Sequence, residues 1–294
     1  MSLLSLLNSI PLARTTPASN TATVRPGSAS RDAAQRAALR RTLAHISLSI
    51  ILPAYNEEQV ILTTLSEVTT ALNAWDAAYE VIVVNDGSDD RTGARVASVA
   101  ARDPHVRIVT HTTNQGYGAA LISGFAAARN DLTCFMDADG QFTIRDLPRL
   151  LAAIEDADAV LGYRIRRQDS WLRQVNAWGW QTLIALALGV RVRDLDCAFK
   201  LIRTDFLHTH PPTTHSALIN AEVVYMLQRS GATWREVGVR HLPRQGGHAT
   251  GANLRVIARA MCDLLRYTWR WRHTAYTPSA FPHQAPANTI ADHL

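Results

Sequence analysis

The stretch Met136-Asp137-Ala138-Asp139-Gly140-Gln141 places two carboxylates one residue apart, directly after an apolar segment of strand length. Buried carboxylates that lie side by side repel each other, and a cation between them removes this cost. Their hard oxygen atoms suit Mg²⁺ or Mn²⁺, and Mg²⁺ is usually held by one or two carboxylates together with substrate phosphates. Asp-Gly is also a common pair in ordinary turns. The neighbouring sequence must therefore decide whether this stretch is a turn or a metal site.

Apolar segments of strand length alternate with segments of helical periodicity on both sides of this stretch. The predicted strands cover residues 48–52, 80–84, 105–110, 131–136 and 157–162, and the predicted helices cover residues 57–72, 90–101, 118–128 and 144–154. Short buried strands separated by helices indicate βαβ units. We therefore predict an α/β fold with a mostly parallel central sheet and helices on both faces, in which ligands bind at the carboxyl ends of the strands.

Polar motifs follow the other predicted strands. Pro53–Glu57 follow the first strand, Asn85–Asp90 the second, Asn114–Gly118 the third and Arg164 the fifth. Asp89 or Asp90 is suited to cap the next helix, which leaves Asp86 available to bind a ligand.

The motif Asn114-Gln115-Gly116-Tyr117-Gly118 resembles a dinucleotide-binding loop only superficially. The third glycine position of that fingerprint is Leu121, and the motif follows the third strand rather than the first. A Rossmann dehydrogenase is therefore excluded.

Composition and charge narrow the possible classes of protein and their partners further. The 294 residues contain three widely spaced Cys residues, which form neither a disulfide framework nor a zinc pattern, and this favours the cytoplasm. No apolar run approaches the roughly 20 residues of a membrane-spanning helix. Residues 1–46 carry six Arg against one Asp, and residues 266–294 carry three Arg against one Asp, so the basic charge lies in the tails. The region between them is slightly acidic, which argues against nucleic acid as a partner.

The domain prediction follows these shifts in composition. Residues 1–46, rich in Ser, Thr, Ala and Arg, are predicted to be a flexible basic tail. Residues 47–272 form the predicted α/β domain. Residues 273–294 contain three Pro and three His with little apolar pattern, and they are predicted to be a second flexible tail.

Taken together, the ordered motifs resemble those of family 2 glycosyltransferases, in particular the dolichyl- or polyprenyl-phosphate sugar synthases. The matching residues extend from Pro53 to Gly251, about two thirds of the chain. The resemblance implies a GT-A fold with a Rossmann-like nucleotide-binding half, a UDP- or GDP-linked sugar as donor, and Mg²⁺ or Mn²⁺. It also implies roles for single residues: Pro53, Tyr55, Glu57 and Asp86 for the nucleoside, Asp137, Ala138, Asp139 and Gln141 for the metal and diphosphate, and Arg164 and Arg244 for donor or acceptor phosphate.

The acceptor side is less well defined by the resemblance. The segment Asp194–Lys200 is similar to the acceptor-side segment of the family, but the loop from Arg244 to Thr250 ends in Ala-Thr where relatives usually have Ser-Lys. We expect direct displacement with inversion at the anomeric carbon. A polyprenyl phosphate needs no catalytic base because the second pKa of a phosphate monoester is about 6. For a sugar or other hydroxyl acceptor, Asp196 is the candidate base, although an ion pair with Lys200 or an Arg would explain this carboxylate equally well.

Two other function classes remain open from the sequence. A nucleotidyltransferase or sugar-nucleotide pyrophosphorylase would also combine an α/β sheet with paired carboxylates, but such enzymes usually carry a cationic Gly-rich loop where this chain has Pro53–Glu57. A non-catalytic nucleotide-sugar-binding module is the second alternative. The intact Asp137-Ala138-Asp139-Gly140-Gln141 argues against it.

Aromatic and cationic residues cluster near two apolar segments. Trp171, Trp178 and Leu183 are predicted to share a helix face, and residues 266–272 combine three Arg with two Trp. Such residues favour the headgroup region of a membrane. We expect peripheral contact with an anionic membrane, at the inner face of the plasma membrane, unless these segments simply pack against the core.

Overall fold

The computed structural model describes residues 39–40, 43–165, 171–243, 263–271 and 273. A seven-stranded sheet in the order β3-β2-β1-β4-β6-β5-β7 forms its centre. The strands are β1 (Ser47–Ala54), β2 (Ala78–Asn85), β3 (Val106–Thr110), β4 (Leu132–Phe135), β5 (Ala159–Ile165), β6 (Lys200–Arg203) and β7 (Trp234–Arg240).

The sheet is mostly parallel, as predicted. β1 pairs in parallel with β2 and β4, β2 with β3, and β5 with β7. β6 lies between β4 and β5 and is antiparallel to both. The carboxyl ends of β1, β2, β3 and β4 therefore meet at one edge of the sheet, where the polar motifs of the sequence follow them.

The helices are α1 (Ile61–Ala74), α2 (Thr92–Ala100), α3 (Tyr117–Ala127), α4 (Leu147–Ala153), α5 (Trp171–Leu188), α6 (Thr204–Thr209) and α7 (Ile219–Arg229), and residues 263–271 form α8. The predicted helix 57–72 begins only at Ile61, because Glu57 closes a turn by accepting the N–H groups of Val60 and Ile61. The predicted helix 144–154 begins with a 3₁₀ turn, Ile144–Asp146, before α4.

Alternating residues of the central strands divide the core between the two faces of the sheet. Ile50 and Leu52 belong to one buried cluster, which α1 and α4 complete. Ile51 belongs to the other cluster, which is completed mainly by α3, α5 and α7. The prediction that helices cover both faces of the sheet is thereby confirmed. Both faces are apolar because successive side chains of a strand point to opposite faces.

Both ends of the described chain contribute to this core. Leu39 and Leu43, which precede the predicted domain start at residue 47, are buried in the first cluster. In α8, Leu264 and Trp271 are buried in the second cluster. None of the helices in the described ranges is long and apolar enough to span a membrane.

Candidate active site

One cavity at the carboxyl edge of the sheet brings most of the predicted site residues together. It has a volume of about 780 Å³. The predicted residues that line it are Pro53, Tyr55, Glu57, Asp86, Asp137, Ala138 and Asp139. Gln59, Asn114, Gly116 and Tyr117 also line the cavity. Residues from the ends of β1, β2 and β4 and from the loop after β3 thus share one space, as the rule for parallel sheets requires.

The two carboxylates of the Asp-Ala-Asp turn both lie in the wall of the cavity. Asp139 is 8% exposed, and its Oδ1 accepts the N–H of Gln141 at 3.0 Å. Burial, followed by the charge of Asp139, raises the pKa of Asp137 to about 7. Both causes penalise negative charge, and a bound divalent cation would remove the penalty. The turn therefore fits a metal ion.

The protein supplies only part of a coordination shell. Among the residues that the structure describes, no group of three or more His, Cys, Asp or Glu side chains is placed to hold a metal. Two carboxylates with open positions are typical of Mg²⁺ or Mn²⁺ sites that substrate phosphates complete.

The side chain of Gln141, a predicted metal ligand, contacts the segment that follows β7. Its Nε2 donates to the carbonyl of Leu242 at 3.4 Å, while the N–H of Leu242 donates to the carbonyl of Gln141 at 2.9 Å. Gln141 is absent from the cavity lining. The side chain thus connects the Asp-Ala-Asp turn to the segment that follows β7.

Asp86, the predicted nucleoside ligand after β2, accepts several hydrogen bonds at the cavity. Its Oδ1 accepts the N–H of Gln115 and its Oδ2 accepts the N–H of Gly116, both at 2.9 Å. Nδ1 of His111 lies 2.6 Å from Asp86 Oδ1, and Nε2 of the same ring lies 2.8 Å from Ser123 Oγ. Ser123 lies within α3 and outside the cavity lining, so the Asp86–His111–Ser123 chain orients Asp86 rather than forming a second reactive centre.

The loops after β1 and β2 hold each other in place. The N–H of Asn56 donates to Ser88 Oγ at 3.0 Å, and Asn56 Oδ1 accepts the N–H of Asp89 at 2.9 Å. Asn56 has a positive φ of 56°, which Asn tolerates better than most residues. Asp90 accepts the N–H of Thr92 at 2.9 Å just before α2, but the N-cap position is Arg91 and no side chain caps the helix there, so the predicted cap by Asp89 or Asp90 is wrong.

The buried hydroxyl of Tyr117 lies in the cavity wall near Asp137. Its oxygen makes no well-formed hydrogen bond to the protein within the described structure. Burial and the charge of Asp137 raise the pKa of Tyr117. The hydroxyl therefore remains a neutral donor beside the carboxylate.

Arg164, near the end of β5, is not among the residues that line the cavity. Its Nε and Nη2 donate to the carboxylate of Asp194 at 2.7 and 2.8 Å, a bidentate pair with both side chains largely buried. The predicted phosphate ligand is thus held rigidly by the first residue of the acceptor-side segment. Arg244 and the rest of the loop 244–250 lie outside the described residues.

Asp196 is half-buried in the same segment, close to the only Lys of the chain. The ammonium of Lys200 donates to the carbonyls of Leu195 and Cys197 and to Asn220 Oδ1. The alternative of an ion pair between Asp196 and Lys200 is thus not what holds the ammonium, although the charge of Asp196 acts on it.

Sequence reasoning missed His111 and Lys200. His111 directly follows β3, as Asp86 follows β2, so the strand-end rule contained the signal for it. Lys200 enters the sequence argument only as an alternative partner for Asp196, and its being the only Lys among 30 basic residues is the available signal.

Comparisons with known proteins identify the family of this chain. A family model described as Glycosyl transferase family 2 matches residues 49–224. The undecaprenyl-phosphate 4-deoxy-4-formamido-L-arabinose transferase of Sodalis glossinidius (strain morsitans) is 34% identical over 174 residues, 57% of this chain and 53% of that protein. The enzyme of the same name from Yersinia pestis (strain Pestoides F) is 29% identical over 225 residues, 74% of this chain and 66% of that protein. This chain therefore spans between half and two thirds of the length of these relatives.

Solved structures show the same fold. Glucosyl-3-phosphoglycerate synthase from Mycobacterium tuberculosis, in complex with phosphoglyceric acid, superimposes with a TM-score of 0.64 at 19% identity and covers 87% of each chain. A complex of that enzyme with Mn²⁺, uridine diphosphate and phosphoglyceric acid gives a TM-score of 0.63 at 19% identity, over 83% of this chain and 84% of that one. The chain has the GT-A fold.

The protein belongs to glycosyl transferase family 2. The family match excludes the alternative that the protein is a nucleotidyltransferase. The matched region contains all the residues that line the cavity, from Pro53 to Asp139.

Proposed function

We propose that this protein is an inverting glycosyltransferase that transfers a sugar from a UDP- or GDP-linked donor to a polyprenyl phosphate, with Mg²⁺ or Mn²⁺. The observation that carries the proposal is the single cavity in which Asp86, Asp137 and Asp139 meet at the ends of neighbouring parallel strands. The names of the relatives, undecaprenyl-phosphate sugar transferases, support the acceptor. The Mn²⁺ and uridine diphosphate in a structural neighbour support the donor and the metal.

The residues of the cavity suit the parts of such a donor. Pro53, Tyr55, Glu57 and Asp86 form the nucleoside end, and Asp137 and Asp139, with Ala138 between them, form the diphosphate end. Asp137 and Asp139 would hold the metal ion, which when bound neutralises charge on the departing nucleoside diphosphate.

The transfer itself needs little acid–base chemistry. An oxygen of the acceptor phosphate attacks the anomeric carbon as the bond from that carbon to the diphosphate oxygen breaks on the opposite face, which inverts the configuration. At neutral pH the acceptor is mostly deprotonated because its second pKa is about 6. Asp196 would act as the base only for a hydroxyl acceptor. We propose that Arg244, from outside the described residues, and Arg164 bind phosphate oxygens.

A panel of nucleotide sugars tests this function directly. Each UDP- and GDP-sugar is incubated with Mn²⁺ or Mg²⁺ and undecaprenyl phosphate, and both released nucleoside diphosphate and glycosylated lipid are measured. We expect lipid product with one donor, dependent on the metal. Donor binding without hydrolysis or transfer across the whole panel would instead identify a non-catalytic binding module.

We also propose peripheral contact with the anionic inner face of the plasma membrane, where such an acceptor lies. Four large apolar side chains support it: Trp178 (71% exposed) and Leu186 (79%) on α5, and Leu265 (74%) and Trp269 (70%) on α8. Arg266 and Arg270 are exposed next to the α8 pair. Tryptophan beside cations favours the headgroup region.

The exposed residues proposed for membrane contact differ in part from those that the sequence predicts. Leu183 is partly buried against the second core cluster, and Trp271 is buried, with its Nε1 donating to Glu222 at 3.0 Å. The side chain of Trp171 lies outside the described residues. The other faces of α5 and α8 thus pack on the core and leave Trp178, Leu186, Leu265 and Trp269 exposed.

A further inference from the structure

Lys200 departs from the composition of the chain. It is the only Lys among 30 basic residues, and it is completely buried at the start of β6. Elsewhere this chain uses Arg, including at Arg164 beside the same segment. A basic residue that is both unique in type and fully buried has a requirement that Arg does not meet.

The hydrogen bonds of Lys200 show what that requirement is. Nζ donates to the carbonyl of Leu195 at 3.1 Å, to the carbonyl of Cys197 and to Asn220 Oδ1 at 2.9 Å. All of these partners are acceptors, and only an ammonium has the matching number of N–H donors. The planar fork of Arg cannot direct its donors around a single point in this way.

The charged form of Lys200 is supported from the acceptor-side segment. Burial lowers the pKa of Lys200, while the charges of Asp194 and Asp196 oppose that shift. The ring of Phe135 also lies 5.5 Å from Nζ, at a distance that favours a cation. The ammonium of Lys200 therefore contacts the backbone of a loop that carries two carboxylates, Asp194 and Asp196.

The loop from residue 194 to residue 199 has little room for adjustment. The carbonyl of Phe199 accepts the N–H of Gly162 at 2.9 Å, and a Cβ added to Gly162 would lie 2.3 Å from that carbonyl oxygen. At the other end of the loop, Asp194 holds Arg164 in the bidentate pair. Any shift of the loop therefore moves Arg164 and Asp196 together.

We infer that Lys200 is a positioning residue, which fixes the loop 194–199 and so sets the positions of Arg164, which pairs with Asp194, and of Asp196 at the acceptor end of the site. It touches neither donor nor acceptor. The assignment of this end to the acceptor rests on the proposed function, whereas the fixing of the loop does not. Loss of the ammonium should therefore impair use of the acceptor more than binding of the donor nucleotide.

The test compares Lys200→Met, which keeps the length of the side chain and removes its charge, with Lys200→Arg, which keeps the charge and changes the geometry. Thr133→Val is the matched control, because it removes a buried hydrogen bond, 2.9 Å from Thr133 Oγ1 to Thr204 Oγ1, on neighbouring β4. Thermal unfolding, UDP and GDP binding with Mn²⁺, hydrogen exchange of the peptide covering residues 194–199, and transfer to undecaprenyl phosphate are measured for each.

We expect both Lys200 variants to bind the nucleotide like wild type, to lose exchange protection over residues 194–199, and to lose about 10- to 100-fold in kcat/KM for the acceptor, as for other supporting residues of a site. Thr133→Val should lower stability and leave the other readouts unchanged. Full activity of Lys200→Met, or full rescue by Lys200→Arg, would overturn the inference.

Two further arms keep the test decisive. If Lys200→Met does not fold, Asn220→Ala removes one partner of the ammonium, and the same changes are expected on a smaller scale. If the wild type transfers no sugar to any acceptor, the proposed function fails, and hydrogen exchange still decides whether Lys200 fixes the loop.

Discussion

A few buried side chains fix the geometry of the site at the scale of single residues. Asp86, 3% exposed, accepts two backbone N–H groups from the loop after β3 and pairs with His111. The residue expected to bind the nucleoside is thus also the residue that positions the loop beside it. Asp137 shows the opposite condition, because burial and the charge of Asp139 raise its pKa to about 7.

Asp86→Asn should loosen the loop and weaken nucleotide binding. One oxygen would become an NH₂ group that faces N–H donors, which leaves a buried donor without an acceptor and costs about 1–3 kcal/mol. Urea unfolding and titration with UDP and GDP measure both effects. Ser123→Ala, which removes only the far end of the chain through His111, is the control with an expected loss of about 1 kcal/mol. Equal effects of the two variants would contradict the role of Asp86.

Asp139→Asn should leave the metal-free protein at least as stable as wild type, because it removes the repulsion between the two carboxylates. The same variant should lose the increase in Tm that Mn²⁺ and nucleotide give to wild type. Its rate of sugar transfer should fall by about 100-fold or more, as when a charge-stabilising group is lost. Wild type in excess chelator serves as the control. Full activity in either case would eliminate the metal from the mechanism.

At the scale of elements, tight backbone contacts connect α3 to the segment before α7. The N–H of Gly118 donates to the carbonyl of His215 at 2.9 Å. A Cβ added to Gly118 would lie 2.0 Å from the carbonyl oxygen of Thr214, which is backbone and cannot move freely. Glu222 secures the other side of this segment by accepting the N–H groups of Thr213 and Thr214 at 2.9 and 2.8 Å.

Gly118→Ala should therefore destabilise the protein by about 1–3 kcal/mol through overpacking. It should also weaken nucleotide binding, because Gly116 and Tyr117 line the cavity. Gly179→Ala is a matched control, since an added Cβ there meets no atom within 4 Å and the residue lies inside α5. That variant should gain about 0.5–1 kcal/mol from helix propensity. Chemical unfolding compares the two, and similar losses in both would contradict the packing argument.

At the scale of the whole molecule, the proposed membrane contact rests on exposed apolar residues of two helices, Trp178 and Leu186 on α5 and Leu265 and Trp269 on α8. Trp269→Ser and Arg266→Ala/Arg270→Ala should each reduce co-sedimentation with anionic liposomes. Each Arg contributes about 1 kcal/mol near such a surface, and this part should weaken with salt. Leu62→Ser, at another exposed apolar residue (40%) on α1, is the control and should bind like wild type. No binding of wild type at any salt concentration would eliminate the membrane face.

The sequence by itself determined the α/β class, the five strands up to β5 and the residues that gather in the cavity. These follow from local rules: apolar period, helix length and the position of Pro53–Glu57, Asp86 and Asp137–Asp139 after strands. Every one of those signals is contained within a few neighbouring residues, so it can be read without knowing the partners in space.

Only the tertiary structure decided the order β4-β6-β5, the bidentate pair of Arg164 with Asp194, the contact of Gln141 with Leu242 and the hydrogen bonds of Lys200. Arg164 and Asp194 lie 30 residues apart in the chain, and Gln141 and Leu242 lie 101 apart. Local patterns do not contain such pairings, because burial and hydrogen-bond satisfaction are properties of the packed chain as a whole. For the same reason, the sequence predicted which side chains carry the chemistry, and packing decided which of them face the cavity.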